Sequence, residues 1–440
     1  MINVVLIGYG MAGHHFAARL AAARRDASGG DFALTVLGAE PGAPYNRVLL
    51  PEVLAGRIDP RRIDLPESDD PRITVRAGVR ATGIDRERRV VHGDDGSIVP
   101  YDELVFATGA NPVLPPLGGI RDENGLLPGV HTLRTLADLE RIQEQLAAHE
   151  IAAGTAAGTG AGAGTGPGKR RAVVVGGGLL GVQCARALTL RGLEVDLIHQ
   201  GPHLLDHRLD ADAAAVLART ARGLGIEVHT ECRARTVVRD REGGLAGVQL
   251  ADGYRLTADL VLLACGSAPA TGVAARAGLA VRDAILVDER LRSITDPRVH
   301  AIGDCAQRHQ GPATPHGLAA PALEQAELLA ERLLGSAAVY QASSTVARLT
   351  ATGVDIAILA AARRDHAAPQ QHPVKPARTV RLTDPVAGTH RSVTVHGDRV
   401  VSSVLIGDVS AAARLARLVD QAGPLPENPL DLLFDSAERN

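Results

Sequence analysis

Gly8-Tyr9-Gly10-Met11-Ala12-Gly13 and Gly176-Gly177-Gly178-Leu179-Leu180-Gly181 repeat one glycine spacing at two distant places in the chain. The first follows the apolar run Val4-Val5-Leu6-Ile7 and the second follows Ala172-Val173-Val174-Val175; each opens onto a helix-forming stretch. Strand, glycine turn and helix, in that order, form the context in which this pattern binds a dinucleotide. The first glycine allows the tight turn, the second lets backbone approach a pyrophosphate, and the third lets helix pack on strand. The phosphates then meet free N–H groups and the positive end of the helix dipole. The residues expected at a cofactor are therefore Gly8, Gly10, Met11, Ala12 and Gly13 in the first unit, and Gly176, Gly178, Leu179 and Gly181 in the second. A single copy also admits the reading of a glycine-rich turn without a ligand. Two copies point to two dinucleotides held face to face, and so to hydride transfer between them.

An acidic residue at the end of the second strand of such a unit holds a ribose hydroxyl. In the first unit this is Glu40, and the polar loop 24–31 accounts for its long separation from Gly8. In the second unit the equivalent position is His199. Histidine lacks the carboxylate that repels a 2′-phosphate, and no arginine follows immediately. NADH is the favoured donor and NADPH stays open; His199 reads either as a ribose contact or as a solvated strand end.

A chain of 440 residues calls for two or three domains. Its formal net charge of −3 gives no footprint for nucleic acid or a membrane surface. No apolar run is long enough to span a bilayer, and the N-terminus lacks a basic n-region and cleavage site. Cys184, Cys232, Cys265 and Cys305 form no CxxC pair, so a disulfide scaffold is not expected and the cytoplasm is the default compartment.

Along the chain, residues 2–7 and 34–38 read as strands around a helix at 13–23, and 72–106 alternate as β structure. A helix fits 133–149, followed by an Ala/Gly/Thr tract at 152–168 that reads as a flexible insertion. A second βαβ unit occupies 172–198, with further strands to 264 and a helix at 318–334. From residue 340 the pattern changes to β segments, then a helix at 410–422 and a proline-rich tail.

Glu40-Pro41-Gly42-Ala43-Pro44-Tyr45-Asn46-Arg47-Val48-Leu49-Leu50 resembles the segment after the FAD-ribose glutamate in bacterial nitrite reductase large subunits and in the electron-transfer subunit of assimilatory nitrate reductase. Ala107-Thr108-Gly109 resembles the crossover between FAD and NAD domains in that family. Val287-Asp288-Glu289-Arg290-Leu291-Arg292 followed by Val299-His300-Ala301-Ile302-Gly303-Asp304-Cys305-Ala306 resembles its second FAD motif, whose aspartate holds the ribityl chain. Gly317-Leu318-Ala319-Ala320-Pro321 followed by Glu324-Gln325-Ala326 is similar to the helix whose N-terminus faces the flavin ring, and 343–355 and 404–408 resemble the family's C-terminal domain. The resemblance thus implies FAD contacts at Glu40, Thr108, Gly109, Gly303, Asp304 and Ala320. It implies an α/β fold of two interleaved Rossmann-like, glutathione-reductase-like domains plus a C-terminal α+β domain.

Several departures bear on mechanism. No cysteine precedes Cys184, which argues against the thiol chemistry of disulfide-reducing relatives. Where ferredoxin-reductase relatives carry a lysine, this chain reads Leu50-Pro51-Glu52, and Arg47 is the better candidate for a cation at the flavin or its pyrophosphate, a surface arginine being the alternative. His14-His15 read as packing or surface residues, not as a metal site. Cysteine clusters for an iron–sulfur centre and sirohaem, found in full nitrite reductase large subunits, are missing, so the chain is expected to act as the reductase front end of such a system.

The expectation is FAD held by 1–118 and 268–336, NAD(P)H held by 119–267, and a C-terminal domain at 340–440 serving as a dimer or docking face. The expected activity is cytoplasmic NADH:acceptor oxidoreduction. Hydride passes to FAD and electrons go on to a redox protein, a nitrate or nitrite assimilation component or a small iron–sulfur carrier. Reduction of rubredoxin or ferredoxin is the alternative enzyme reading; a flavin-bound nicotinamide sensor without turnover is the alternative of another class.

Overall fold

A computed structural model describes residues 1–22, 32–158, 170–310, 317–341, 345–361, 377–420, 425–426 and 428–434. The polar loop 24–31 and residues 159–168 of the Ala/Gly tract lie outside them.

The chain opens with strand β1 (Ile2–Ile7), helix α1 (Met11–Ala22) and strand β2 (Phe32–Gly38), then β3 (Ile73–Ala77) and β4 (Glu103–Phe106). Val4 to Ile7 and Leu104 to Phe106 are buried without alternation, as strands covered on both faces require. The chain then crosses to a second sheet. Its strands are β5 (Val130–Thr132), β6 (Arg171–Val175), β7 (Glu194–Ile198), β8 (Ile226–His229) and β9 (Leu260–Leu263). Helix α2 (Leu136–Gly158) follows β5, α3 (Leu179–Leu190) follows β6, and α4 (Ala211–Gly223) follows β7. The second sheet is parallel, in the order β5-β9-β6-β7-β8.

Leaving and returning segments run side by side: Ala110–Pro112 pairs antiparallel with Ser267–Pro269. The return adds β10 (Val299–Ala301) to the edge of the first sheet, completing the parallel order β10-β4-β1-β2-β3, and α5 (Ala319–Leu333) packs on α1. The last five strands, β11 (Thr345–Ala351), β12 (Val354–Ala360), β13 (Arg378–Asp384), β14 (Thr389–His396) and β15 (Arg399–Ile406), make an antiparallel sheet in the order β11-β12-β15-β14-β13. Helix α6 (Ala412–Asp420) covers β12 and β15.

Two differences from the sequence reading have physical causes. Helix α2 runs on to Gly158, into the tract read as a flexible insertion, because alanine is the best helix former and no proline interrupts before that point. The C-terminal strands also do not enclose a core of their own on both faces. Leu349, Ile356 and Ile358 join Leu188 of α3 and Leu217 of α4 in one apolar cluster, and Arg186 Nε donates to Thr352 O at 2.7 Å across the contact. The segment read as a proline-rich tail carries Leu432 and Leu433, both buried against α6 and its sheet. Among the described residues no helix is long and apolar enough to cross a membrane.

Candidate functional site

The two glycine turns are built alike. Gly8 has φ +105° and a Cβ there would lie 2.3 Å from Ala107 O; Gly176 has φ +117° and its Cβ would lie 2.3 Å from Ala264 O. Each first glycine is thus pressed against the carbonyl that ends the neighbouring strand, in a conformation that L side chains avoid. The third glycines seat the helices: a Cβ on Gly13 would be 2.2 Å from Gly8 O, and one on Gly181 would be 1.7 Å from Gly176 O. The middle glycines are open. A Cβ on Gly178 meets nothing within 4 Å, and one on Gly10 meets only Arg47 Nη2 at 3.6 Å.

Both middle glycines face one cavity of about 1040 Å³ at the junction of the two parallel sheets and β11. Of the predicted residues, Gly8, Gly10, Met11, Ala12, Glu40, Arg47, Thr108, Gly109, Gly178, Leu179, Gly303, Asp304 and Ala320 line it. Gly13, Gly176 and Gly181 stand behind the lining as packing positions. Helices α1 and α3 present the N–H groups of their first turns at this end, where no intrahelical carbonyl can take them. This fits a long, doubly phosphorylated ligand: two open glycines, two helix N-termini and carboxylates spaced along the wall.

The carboxylates are held by named partners. Glu40 lies two residues beyond β2; its Oε2 accepts from Tyr45 Oη at 2.6 Å and its Oε1 from Arg47 Nη2 at 2.9 Å. Arg47 Nη1 donates to Arg134 O at 2.9 Å. The Tyr45 hydroxyl also accepts from Leu136 N–H at 3.2 Å, and its burial, reinforced by Glu40, raises its pKa despite Arg47. Asp304 Oδ2 accepts from Arg134 Nη2 at 2.8 Å, and Oδ1 accepts from Gly317 N–H at 2.8 Å. The Thr108 hydroxyl donates to Ala270 O at 2.7 Å, tying the outgoing crossover to the returning one.

His199 lies outside the cavity lining. Its Nδ1 accepts from Gly177 N–H at 3.2 Å, and Nε2 stands 3.4 Å from Asp206 Oδ2 without a well-directed hydrogen bond. The ring therefore supports the second glycine turn from beneath. The cysteines keep away from the cavity: Cys184 and Cys305 are fully buried, and burial pushes the Cys265 thiol up to about 11. His14 Nε2 hydrogen-bonds Pro66 O at 2.7 Å, and His15 Nε2 lies 4.0 Å from Glu327 Oε2.

The sequence reading gave no individual role to two residues at the site. Arg134 is one; it follows β5 and precedes a capping box in which Asp138 accepts from Arg134 N–H and Thr135 N–H while Thr135 Oγ1 accepts from Asp138 N–H. That Thr-x-x-Asp signal was legible and marks where the chain enters α2. Gln325 is the other. It is 1% exposed, and its Oε1 accepts from Gly303 N–H at 2.8 Å, fixing the turn (φ +73°) that aims Asp304 at the cavity.

Residues 2–326 match the family model described as pyridine nucleotide-disulphide oxidoreductase. The chain is 30% identical to nitrite reductase [NAD(P)H] of Bacillus subtilis (strain 168) over 97% of its own length and 48% of that protein. It is 32% identical to rhodocoxin reductase of Rhodococcus erythropolis, over 77% of this chain and 74% of that one. A crystal structure of the covalent putidaredoxin reductase–putidaredoxin complex superposes with a TM-score of 0.81 at 24% identity, over 99% of this chain and 96% of that one. The chain spans about half the length of the nitrite reductase it matches.

Proposed function

The chain belongs to the pyridine nucleotide-disulphide oxidoreductase family, whose reductases use FAD and NAD(P)H, and from that premise we propose that it is an FAD-dependent NADH:acceptor oxidoreductase. The carrying observation is that the two middle glycines, Gly10 and Gly178, open into the same cavity. One bound dinucleotide on each turn brings two cofactors together there.

In this reading FAD belongs to an interleaved Rossmann-like domain of residues 1–118 and 268–336, and NAD(P)H to a second of residues 119–267. The bound flavin supplies the chemistry, accepting a hydride from the nicotinamide and passing electrons on. The chain's own residues bind and orient. The first-turn N–H groups of α1, from Met11 and Ala12, face the FAD pyrophosphate, and those of α3 the pyrophosphate of NAD(P)H. Glu40 holds the adenosine ribose and Asp304 the ribityl chain, with Arg47 and Arg134 as the cations beside them. The N-terminus of α5, at Ala319 and Ala320, directs the positive end of its dipole at the cavity. No side-chain proton donor is required by hydride transfer.

The acceptor is a redox protein. The match to nitrite reductase along almost the entire chain favours a component of nitrite or nitrate assimilation. A second reading, reduction of a small iron–sulfur protein, is favoured by the match that covers most of rhodocoxin reductase. Anaerobic titration of the purified protein with NADH and, separately, NADPH tests the proposal. Bleaching of the flavin absorbance by one of them is expected; a flavin that neither reduces would refute it and favour a nicotinamide sensor.

A further inference from the structure

Strand β11 brings one charged side chain to the cavity. Val346 and Arg348 are two residues apart, share a face of the strand, and both line the cavity. Ala347 and Leu349 point the other way, into the core shared with α3 and α4. Strand β11 packs against α3, whose Leu179, Leu180 and Gln183 line the cavity, and against α5, whose Ala319, Ala320 and Ala322 line it. Arg348 therefore stands where the nicotinamide-side turn, the flavin-side helix and the C-terminal sheet meet.

Of the other cations of the lining, all but Arg80 have a partner for the side chain among the described residues. Arg47 is paired with Glu40 and Arg134 with Asp304, and Arg276 donates to Thr82 O on the wall that also carries Arg80. Arg348 makes no side-chain hydrogen bond or ion pair among the described residues. The acid on its sheet face, Asp355, is paired in register with Thr350, while Arg348 faces Ala357. The side chain is exposed toward the cavity, so it keeps an undischarged guanidinium there, and a guanidinium stays ionised at any working pH.

We propose that Arg348 is the contact through which the C-terminal sheet sets the reduction potential of the bound flavin. This rests on the reading given under Proposed function. A hydride carries two electrons and one proton; its transfer turns the nicotinamide into the oxidised, cationic form and adds one negative charge to the flavin ring system. No other oxidant or reductant enters the step. A cation carried on β11 at that end of the cavity stabilises the charged product over the neutral starting state by charge–charge attraction.

The test uses the full chain loaded with FAD, comparing wild type with Arg348→Gln, Arg348→Met and Arg348→Lys. The midpoint potential of the flavin is read by anaerobic reduction against a reference dye, which needs no nicotinamide. Melting temperature and FAD affinity are read alongside. Removal of the charge in the Gln and Met variants is expected to shift the reduction equilibrium about tenfold toward oxidised flavin, about 30 mV for a two-electron couple, while Lys restores most of it. A wild-type potential in both uncharged variants would overturn the proposal. If the wild-type flavin resists both NADH and NADPH, the reductase reading fails separately, and the dye titration still decides the role of Arg348.

Discussion

Arg134 and Asp304, 170 positions apart in sequence, form an ion pair of 2.8 Å across the mouth of the first glycine turn. Arg134 comes from the segment that leaves β5 for α2, and Asp304 from the turn after β10. The pair therefore joins the two parallel sheets at the wall of the cavity, and Arg134 Nε adds a bond of 3.1 Å to Ala110 O in the crossover.

Asp304→Ala removes a carboxylate that is only 14% exposed, and leaves both Arg134 and Gly317 N–H without their acceptor. Losing a charge-assisted hydrogen bond at such a place costs about 1.5–3 kcal/mol. FAD retention is expected to fall by at least tenfold. The flavin-to-protein absorbance ratio after gel filtration measures it, and a fully flavinated variant would count against the assignment of Asp304.

Gly178 and Gly181 are three residues apart yet predict opposite behaviour. At Gly178 an alanine Cβ has open space and φ is −78°, so Gly178→Ala leaves the melting temperature within a few degrees but places a methyl in the cavity. NADH affinity falls while FAD stays bound. At Gly181 the same methyl collides with Gly176 O at 1.7 Å, and the helix must move off the strand. Overpacking of this kind costs about 1–3 kcal/mol or more, so Gly181→Ala lowers the melting temperature first. Calorimetry paired with NADH binding separates the two; equal melting losses would contradict this geometry.

Most of the frame was legible in the sequence because it rests on local rules. The glycine turns, the apolar strands before them and the acid at Glu40 are set by short-range sterics and spacing, and the structure gathers thirteen of the predicted residues on one cavity. What was not legible depends on contacts between distant segments. Nothing local to Arg134 reveals that Asp304 will face it, and nothing local to Gln325 reveals Gly303. His199 illustrates the converse: the spacing marks a ribose position, but tertiary packing turns the ring under Gly177. The long helix α2 was curtailed in the reading because an Ala/Gly/Thr composition without periodicity carries no amphipathic signal for a helix.

Gln325 is a positioning residue, and its substitutions discriminate that role. Gln325→Leu leaves Gly303 N–H buried without an acceptor, a cost of about 1–3 kcal/mol. The turn that aims Asp304 then relaxes, and FAD retention falls together with stability. Gln325→Glu keeps an acceptor oxygen at the same reach and is expected to recover flavin binding. Failure of the glutamate variant to bind better than the leucine variant would remove the hydrogen bond from the explanation.

Buried histidines give the protein an acid limit. His131 on β5 and His390 on β14 both have pKa values lowered from the ordinary 6.5, in each case chiefly by burial, with nearby acids and amides offsetting only part. His390 is fully buried; its Nδ1 bonds Thr383 Oγ1 at 2.9 Å, and Nε2 has no partner among the described residues. A lowered folded pKa means that the unfolded chain binds more protons in the window just below 6.5. Stability then rises with pH through that window and is complete above it. Lowering the pH from 7.5 toward 5 is therefore expected to lower the melting temperature progressively. Replacing His390 with glutamine, which cannot titrate, lowers stability at pH 7.5 but flattens the slope below 6.5. Chemical denaturation at a series of pH values reads both effects, and an unchanged slope would remove His390 from the acid response.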